Sequence, residues 1–202
     1  MSINCDKTIL NLKKRGFLPH FAEDTESAVK YILSVIPSGA SVGFGGSVTV
    51  QQINLVDRMN GKYNLLYRDL FPAEKHLEVM ERMHTADWYI SSANAITEEG
   101  ELINIDGRAN RIGELIYGPK NILIIAGINK ITKALEDGIR RARNIAAPLN
   151  AKRLNRKTPC VITGKCEYCN SPDTICKVTS IHHHPTTDKN VYVLLINETL
   201  GY

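Results

Sequence analysis

From Asp24 to Ile36 the apolar residues Ala28, Ile32 and Val35/Ile36 recur every three to four positions. That spacing puts them on one face of a helix, with Asp24 or Thr25 as its cap. Pro37-Ser38-Gly39 ends the helix, and ASVGF (40–44) reads as a short strand running into Gly45-Gly46-Ser47. The same switch of period repeats along the chain. Residues 3–15 form a short amphipathic helix stopped by Gly16. Thr49 and Gln52 have capping-box spacing for a helix that turns Ile53, Val56 and Met59 inward. YNLLYR (63–68) is a strand, and Pro72 opens a helix with Leu77, Met80 and His84 on one side. DWYISSA (87–93) and ELINID (101–106) are strands, and RIGELIY (111–117) is helical up to Gly118-Pro119. NILIIAG (121–127) is a continuous apolar run, as expected of a strand buried on both faces. Ile131, Leu135, Ile139 and Ala142 line a long helix, the pattern lapses after Pro148, and VYVLLIN (191–197) closes with another buried strand.

Strands alternating with helices predict an α/β fold with a mostly parallel central sheet flanked by helices. Because a buried strand follows it, the basic and Cys-rich stretch 150–185 is an excursion from that sheet. Residues 1–202 therefore read as one domain, without internal repeats or low-complexity segments.

Composition narrows the setting. Hydrophobic residues make up 43% and charged residues 23% of the 202, so a core can form without disulfide staples. No apolar run approaches the ~20 residues of a membrane span, and residues 1–16 lack the apolar core of a signal peptide. A cytoplasmic location with no membrane partner is expected. In that reducing setting clustered cysteines are more often metal ligands or redox groups than disulfides. The net charge of +4 is unevenly placed: Ile139–Thr158 holds seven basic residues and no acidic one. This run is either a solvated helix face and linker or a site for an anionic ligand or acidic partner. Nucleic acid is not expected, since no aromatic residues interleave the basic ones.

Four stretches carry candidate chemistry. SVGFGGSVT joins a strand to a helix through Gly43, Gly45 and Gly46, then offers the hydroxyls of Ser47 and Thr49. Backbone N–H groups there can converge on an anion. The spacing is not that of a dinucleotide or Walker loop, so no nicotinamide cofactor is expected. SSANAITEEGELINIDGRANR (91–111) is very polar for a region between buried strands and supplies Asn94, Glu99, Asn104, Asp106, Gly107, Asn110 and Arg111. Asn94 and Asp106 should lie beyond carboxyl ends of strands, where open α/β sheets bind ligands. Asp106 or Glu99 is the candidate base or nucleophile, and Arg111 the partner of a substrate carboxylate or phosphate. Asn129 and Lys130 follow the 121–127 strand and should open on the same rim. Asp106-Gly107 and Glu99-Gly100 also read as plain turns. Finally, Cys160, Cys166, Cys169 and Cys176 are spaced C-x5-C-x2-C-x6-C. Four thiolates fit tetrahedral zinc or an iron–sulfur cluster, and the spacing does not choose between them. His182-His183-His184 reads as a solvated approach to the last strand.

Jointly, SVGFGGSVT, the NAITEEGELINIDGRANRIGELIYGPKNILIIAGINK block, RNIAAPLNAKR, the TPC…GKCEYCNSPDTIC cluster and NETLGY resemble the LUD (lactate utilisation) domain family, in particular its short, single-domain members. The resemblance implies a fold related to ribose-5-phosphate isomerase, glucosamine-phosphate deaminase and the CoA-transferases. It also implies a link to oxidation of L-lactate to pyruvate with iron–sulfur oxidoreductase subunits as partners. By the resemblance Gly45, Gly46, Ser47 and Thr49 fall on the family's glycine loop. Asn94, Asp106, Gly107, Asn110, Arg111, Asn129 and Lys130 fall on its polar rim, and the four cysteines on the cluster typical of short members. One departure is Ala109, where glycine is expected ahead of Asn-Arg. The leading expectation is a protein that binds a small carboxylate or phosphorylated metabolite, as enzyme or accessory subunit. Its rivals are an isomerase, hydrolase or acyl-transfer enzyme on sugar phosphates or CoA thioesters, and a non-catalytic sensor or assembly protein that docks a partner through 140–157.

Overall fold

Ten strands and nine α-helices follow one another in a computed structural model that describes residues 3–202. The strands are β1 (Leu18–Ala22), β2 (Ser41–Phe44), β3 (Asn64–Leu66), β4 (Trp88–Ser91), β5 (Ala95–Thr97), β6 (Leu102–Asp106), β7 (Asn121–Gly127), β8 (Ile131–Thr132), β9 (Val178–His182) and β10 (Asn190–Ile196). The helices are α1 (Cys5–Lys14), α2 (Thr25–Val35), α3 (Val48–Gln52), α4 (Leu55–Met59), α5 (His76–Met83), α6 (Asn110–Tyr117), α7 (Leu135–Arg141), α8 (Ala147–Arg153) and α9 (Pro159–Thr163).

Six strands make the expected parallel sheet, in the order β1-β10-β7-β4-β2-β3. β7 and β10, the two apolar runs, lie side by side among its inner strands, in register from Asn121 with Asn190 to Gly127 with Ile196. Alternation along β7 sends Leu123 and Ile125 to one face and Ile122, Ile124 and Ala126 to the other. On the first face they meet Ala28, Val29 and Ile32 of α2, Val50 of α3 and Met59 of α4. On the second they meet Leu12 of α1, Val79 and Met83 of α5, and Leu115 of α6. Helices on both faces explain why these strands lack a polar side.

α2 starts as its sequence dictates. Asp24 accepts from Ser27 N at 2.7 Å and the Ser27 hydroxyl answers the Asp24 N–H, a full capping box. β1 escapes the hydrophobic pattern because it contains Pro19. Among the described residues it pairs only with β10, an edge position, where a strand tolerates proline.

Three local expectations are corrected. The capping box at Thr49/Gln52 does not form. Ser47 caps α3 instead, accepting from Val50 N at 3.2 Å, and Asn54 at φ 51° breaks the segment into α3 and α4. In α5 the buried stripe is Val79 and Met83, while Leu77 is 69% exposed. A two-turn helix with aliphatic residues on both sides takes its inner face from where the sheet lies. Past β7, Ile131 belongs to β8 and helix begins only at Leu135. Helix then continues through Pro148: α7 widens into a π-helical segment, Ala142–Ala146, and Pro148 falls in the first turn of α8. A first-turn proline needs no N–H partner, which removes the expected break.

A second, four-stranded sheet with the order β8-β5-β6-β9 was not legible in the hydrophobic pattern. β5 and β6 form a hairpin, β8 adds parallel to β5, and β9 pairs antiparallel with β6 from Asp106–Val178 to Leu102–His182. The 150–185 excursion is thus anchored by β9, against a small core of Ala95, Ile103, Ile105 and Ala142. Because all six central strands are parallel, their carboxyl ends share one rim.

Candidate ligand-binding site

Three turns of that rim come from β2, β4 and β7. After β2, Gly45 donates its N–H to Ile90 O at 2.9 Å. A Cβ on Gly45 would lie 2.6 Å from Tyr89 Oη and 2.7 Å from Ser91 Oγ, so only glycine fits. Gly43 packs within β2 against Met83 and Tyr89, behind the rim, and Gly46 has open space around it. α3 is only five residues long. Its dipole is correspondingly small, and Ser47 already occupies one of its free N–H groups.

The 104–111 segment is built around one carboxylate. Asp106, 6% exposed at the end of β6, accepts from Arg111 Nε (2.8 Å), Arg111 Nη2 (2.6 Å), Arg111 N (3.1 Å) and Ile112 N (2.9 Å). It caps α6 and clamps Arg111 at once. Arg111 Nη2 also donates to Ile105 O at 2.8 Å, and its Nη1 lies 3.4 Å from Asn104 Oδ1 and 3.5 Å from Ser92 O. Asn94 holds the neighbouring turn by accepting from Ile105 N at 2.8 Å. Both side chains expected to do chemistry are therefore saturated. Four N–H donors converge on the Asp106 carboxylate, and the Arg111 guanidinium is turned to Asp106 and the Ile105 carbonyl. Ala109, the departure from glycine, sits at φ 57°. Gly107 is crowded by Ile175, whose Cα a Cβ would approach to 3.1 Å.

After β7, Lys130 is buried, and its Nζ donates to Thr49 Oγ1 at 2.8 Å and Ser92 Oγ at 2.9 Å. Burial first, then the Arg141 and Arg111 guanidiniums, pull its pKa down to about 7. Arg141 is buried too and donates to Asn94 O (2.5 Å) and Asn129 O (3.0 Å); burial lowers its pKa to about 10. Asn129 Oδ1 accepts from Leu200 N at 3.1 Å.

Two of these pieces, the glycine loop and the 106–111 segment, border one cavity of about 490 Å³, whereas Gly43, Gly45, Thr49, Asn94, Asn104, Asn129 and Lys130 do not line it. Gly46 and Ser47 line it on one side, Asp106, Gly107, Asn110 and Arg111 on another, and Asp173–Ile175 on a third. The glycine loop and the 106–111 segment thus face each other. Glu99 does not join them. It sits in the β5–β6 turn, exposed, 2.6 Å from Lys7 Nζ, which holds its carboxyl below the usual range. The basic run is not one face either. Arg141 is interior, Arg143 lies over the Tyr168 ring, and Arg153 and Arg156 line the cavity.

A family model described as the LUD domain matches residues 5–196. The chain belongs to the LUD domain family. No curated protein matches it. Among solved structures, a protein of the DUF162 family from Deinococcus radiodurans aligns over 96% of this LUD domain and 99% of its own chain, with TM-score 0.54 and 11% identity. Ribose 5-phosphate isomerase from Plasmodium falciparum aligns over 54% of this chain and 52% of its own, with TM-score 0.36 and 16% identity. A D-ribose-5-phosphate isomerase in complex with phospho-erythronic acid aligns over 55% and 54%, with TM-score 0.37 and 14% identity.

The four clustered cysteines of this LUD domain line a second cavity, of about 260 Å³, together with Arg143, Tyr168 and Thr174. Burial, then the neighbouring Cys166, pushes the Cys176 thiol up, and Cys160 Sγ lies 3.3 Å from Thr158 Oγ1. Among the described residues no three His, Cys, Asp or Glu side chains are arranged to hold one metal ion. All four thiols border that one cavity. Likewise, among the described residues no helix is long and apolar enough to cross a membrane.

Sequence reasoning missed three groups. Glu114 lies one turn beyond Arg111 on α6 and lines the cavity, its carboxyl raised by burial and 3.3 Å from His84 Nδ1; the i, i+3 spacing was the available signal. Arg108 and Lys177 stand at the mouth, exposed and without a carboxylate partner among the described residues. Ser92, the second partner of Lys130, carried no sequence signal.

Proposed function

We propose that this LUD domain binds a small carboxylate or phosphorylated metabolite in the rim cavity, and serves as an enzyme or accessory subunit of lactate-type organic acid oxidation. The facing of the glycine loop and the 106–111 segment across a cation-rich cavity carries the reading. Three of its carboxylates are already neutralised: Asp106 by Arg111, Asp69 by Arg68 and Asp173 by Arg156. Glu114 stands against His84. Among the described residues Arg108 and Lys177 are left over, and Arg153 engages only Asn150 and Tyr202. Surplus positive charge around a concave site draws an anion, and the volume suits a small metabolite. Since the Asp106 carboxylate is saturated and Glu99 is elsewhere, a hydrolase or isomerase mechanism using either as base gains no support.

Titration calorimetry at low salt with L-lactate, pyruvate and a pentose phosphate tests the reading. At least one of the three is expected to bind, and Arg108→Glu should weaken it about tenfold. Added salt should weaken it as well, because these cations are exposed. No heat with any of the three, or binding indifferent to both Arg108→Glu and Lys177→Glu, overturns it.

A further inference from the structure

Loops after β2, β4, β7 and β10 together enclose one amine. Lys130 is 3% exposed, and its Nζ donates to the hydroxyls of Thr49 and Ser92, 0% and 3% exposed. Each hydroxyl has a carbonyl for its own proton, Leu200 O and Ala93 O, both at 3.4 Å, so each offers the amine a lone pair. An ammonium carries three N–H donors, whereas a neutral amine carries two and a lone pair. The hydroxyls supply two acceptors, and among the described residues no carboxylate lies against Nζ. Toward Gly201 there is backbone at close range: a Cβ there would stand 3.1 Å from Nζ. The surroundings fit the neutral form, and the pKa of about 7 agrees.

Residues 198–202 close the site. Leu200 N donates to Asn129 Oδ1 at 3.1 Å, Gly201 N to Gln52 Oε1 at 2.5 Å, and Arg153 Nε to the Tyr202 hydroxyl at 2.8 Å. Arg153 also lines the large cavity, so an anion that draws its guanidinium away removes one of these ties.

We propose that Lys130 is a masked nucleophile that forms an imine with a small 2-oxo acid when segment 198–202 lifts. The choice of a 2-oxo acid rests on the small-carboxylate reading above. The charges of Arg141 and Arg111, near enough to lower the Lys130 pKa, favour a carboxylate beside the amine although their donors are engaged elsewhere. The acid's carbonyl carbon is what a neutral amine attacks. The Nζ lone pair forms the new C–N bond while the carbonyl π pair moves to oxygen. The Ser92 or Thr49 hydroxyl relays a proton from nitrogen to that oxygen, giving a carbinolamine. Loss of the oxygen as water, which takes both amine hydrogens, leaves the C=N bond. Nothing is oxidised or reduced.

The test incubates the full chain with pyruvate and cyanoborohydride, which supplies the hydride that fixes an imine as a stable secondary amine, and maps adducts by mass spectrometry. One dominant adduct on Lys130 is expected, absent in Lys130→Met. Gly201→Ala would put a Cβ 2.4 Å from Thr49 Oγ1. It should push the segment outward and raise the labelling rate roughly tenfold, as the open fraction grows. Ser92→Ala should lower the rate at least roughly tenfold by removing a proton relay. Labelling confined to surface lysines, in both the wild type and Gly201→Ala, overturns the proposal. So does labelling of Lys130 by propanal but not by pyruvate. The cavity reading is scored apart, by anion binding and its loss in Arg108→Glu, so either can fail alone.

Discussion

Ala109 holds a left-handed backbone, φ 57°, at the entry to α6. For a residue with a Cβ that conformation costs about 1–2 kcal/mol, part of which glycine's extra unfolded-state freedom offsets. Ala109→Gly is therefore expected to stabilise the protein by about 0.5–1 kcal/mol, read as a higher urea midpoint at unchanged slope. Gly45 is the opposite case, since a methyl group there collides with Tyr89 Oη and Ser91 Oγ. Lys130 makes a residue-scale prediction about pH. Its pKa is about 7 in the fold against an ordinary 10.5, so between those values the unfolded chain binds more protons. Stability should fall as pH is lowered from 10 toward 7, by up to about 5 kcal/mol from this group, and the slope should vanish below 7. Lys130→Met should flatten that alkaline limb in thermal unfolding. Legibility at this scale was partial. The sequence singled out Asp106, Arg111, Thr49 and Lys130 by type and place, but not their pairing. Asp106 and Arg111 are five residues apart, and whether they clamp each other or face a ligand depends on distances of a few ångströms.

At the scale of elements, Asp106 ties the start of α6 to the end of β6, and β6 in turn holds β9. Asp106→Asn leaves the buried Arg111 guanidinium without its counter-charge and should cost about 3 kcal/mol or more in denaturant unfolding. Glu99→Gln, at an exposed turn where the carboxylate pairs with Lys7, should leave the midpoint unchanged. The contrast separates two carboxylates that looked alike in the sequence. Most elements were readable because apolar period reports how many faces are covered: β7 and β10 as continuous runs, α2 as a stripe behind its capping box. What failed was short or ambiguous. β1 contains a proline that only an edge position tolerates, and α5 offered two apolar stripes. Helix passes Pro148 because a π-helical segment precedes it.

For the molecule as a whole, the mouth of the cavity collects cations from segments far apart in sequence, Arg108 after β6, Arg153 on α8 and Lys177 before β9. The double variant Arg108→Glu/Lys177→Glu should abolish stabilisation by added anion in a thermal-shift assay. It should leave the unliganded melting temperature close to wild type, because both side chains are exposed. By itself the sequence determined most of the helices, the central strands other than β1, the parallel central sheet and hence the rim. Those follow from local periodicity and from the rule that parallel strands release their loops at one end. Tertiary structure alone decided the second sheet, the cover that 198–202 places over Lys130, and which polar groups remain open to a ligand. Saturation of a hydrogen-bonding group is a matter of distance between remote segments, and no local pattern encodes it.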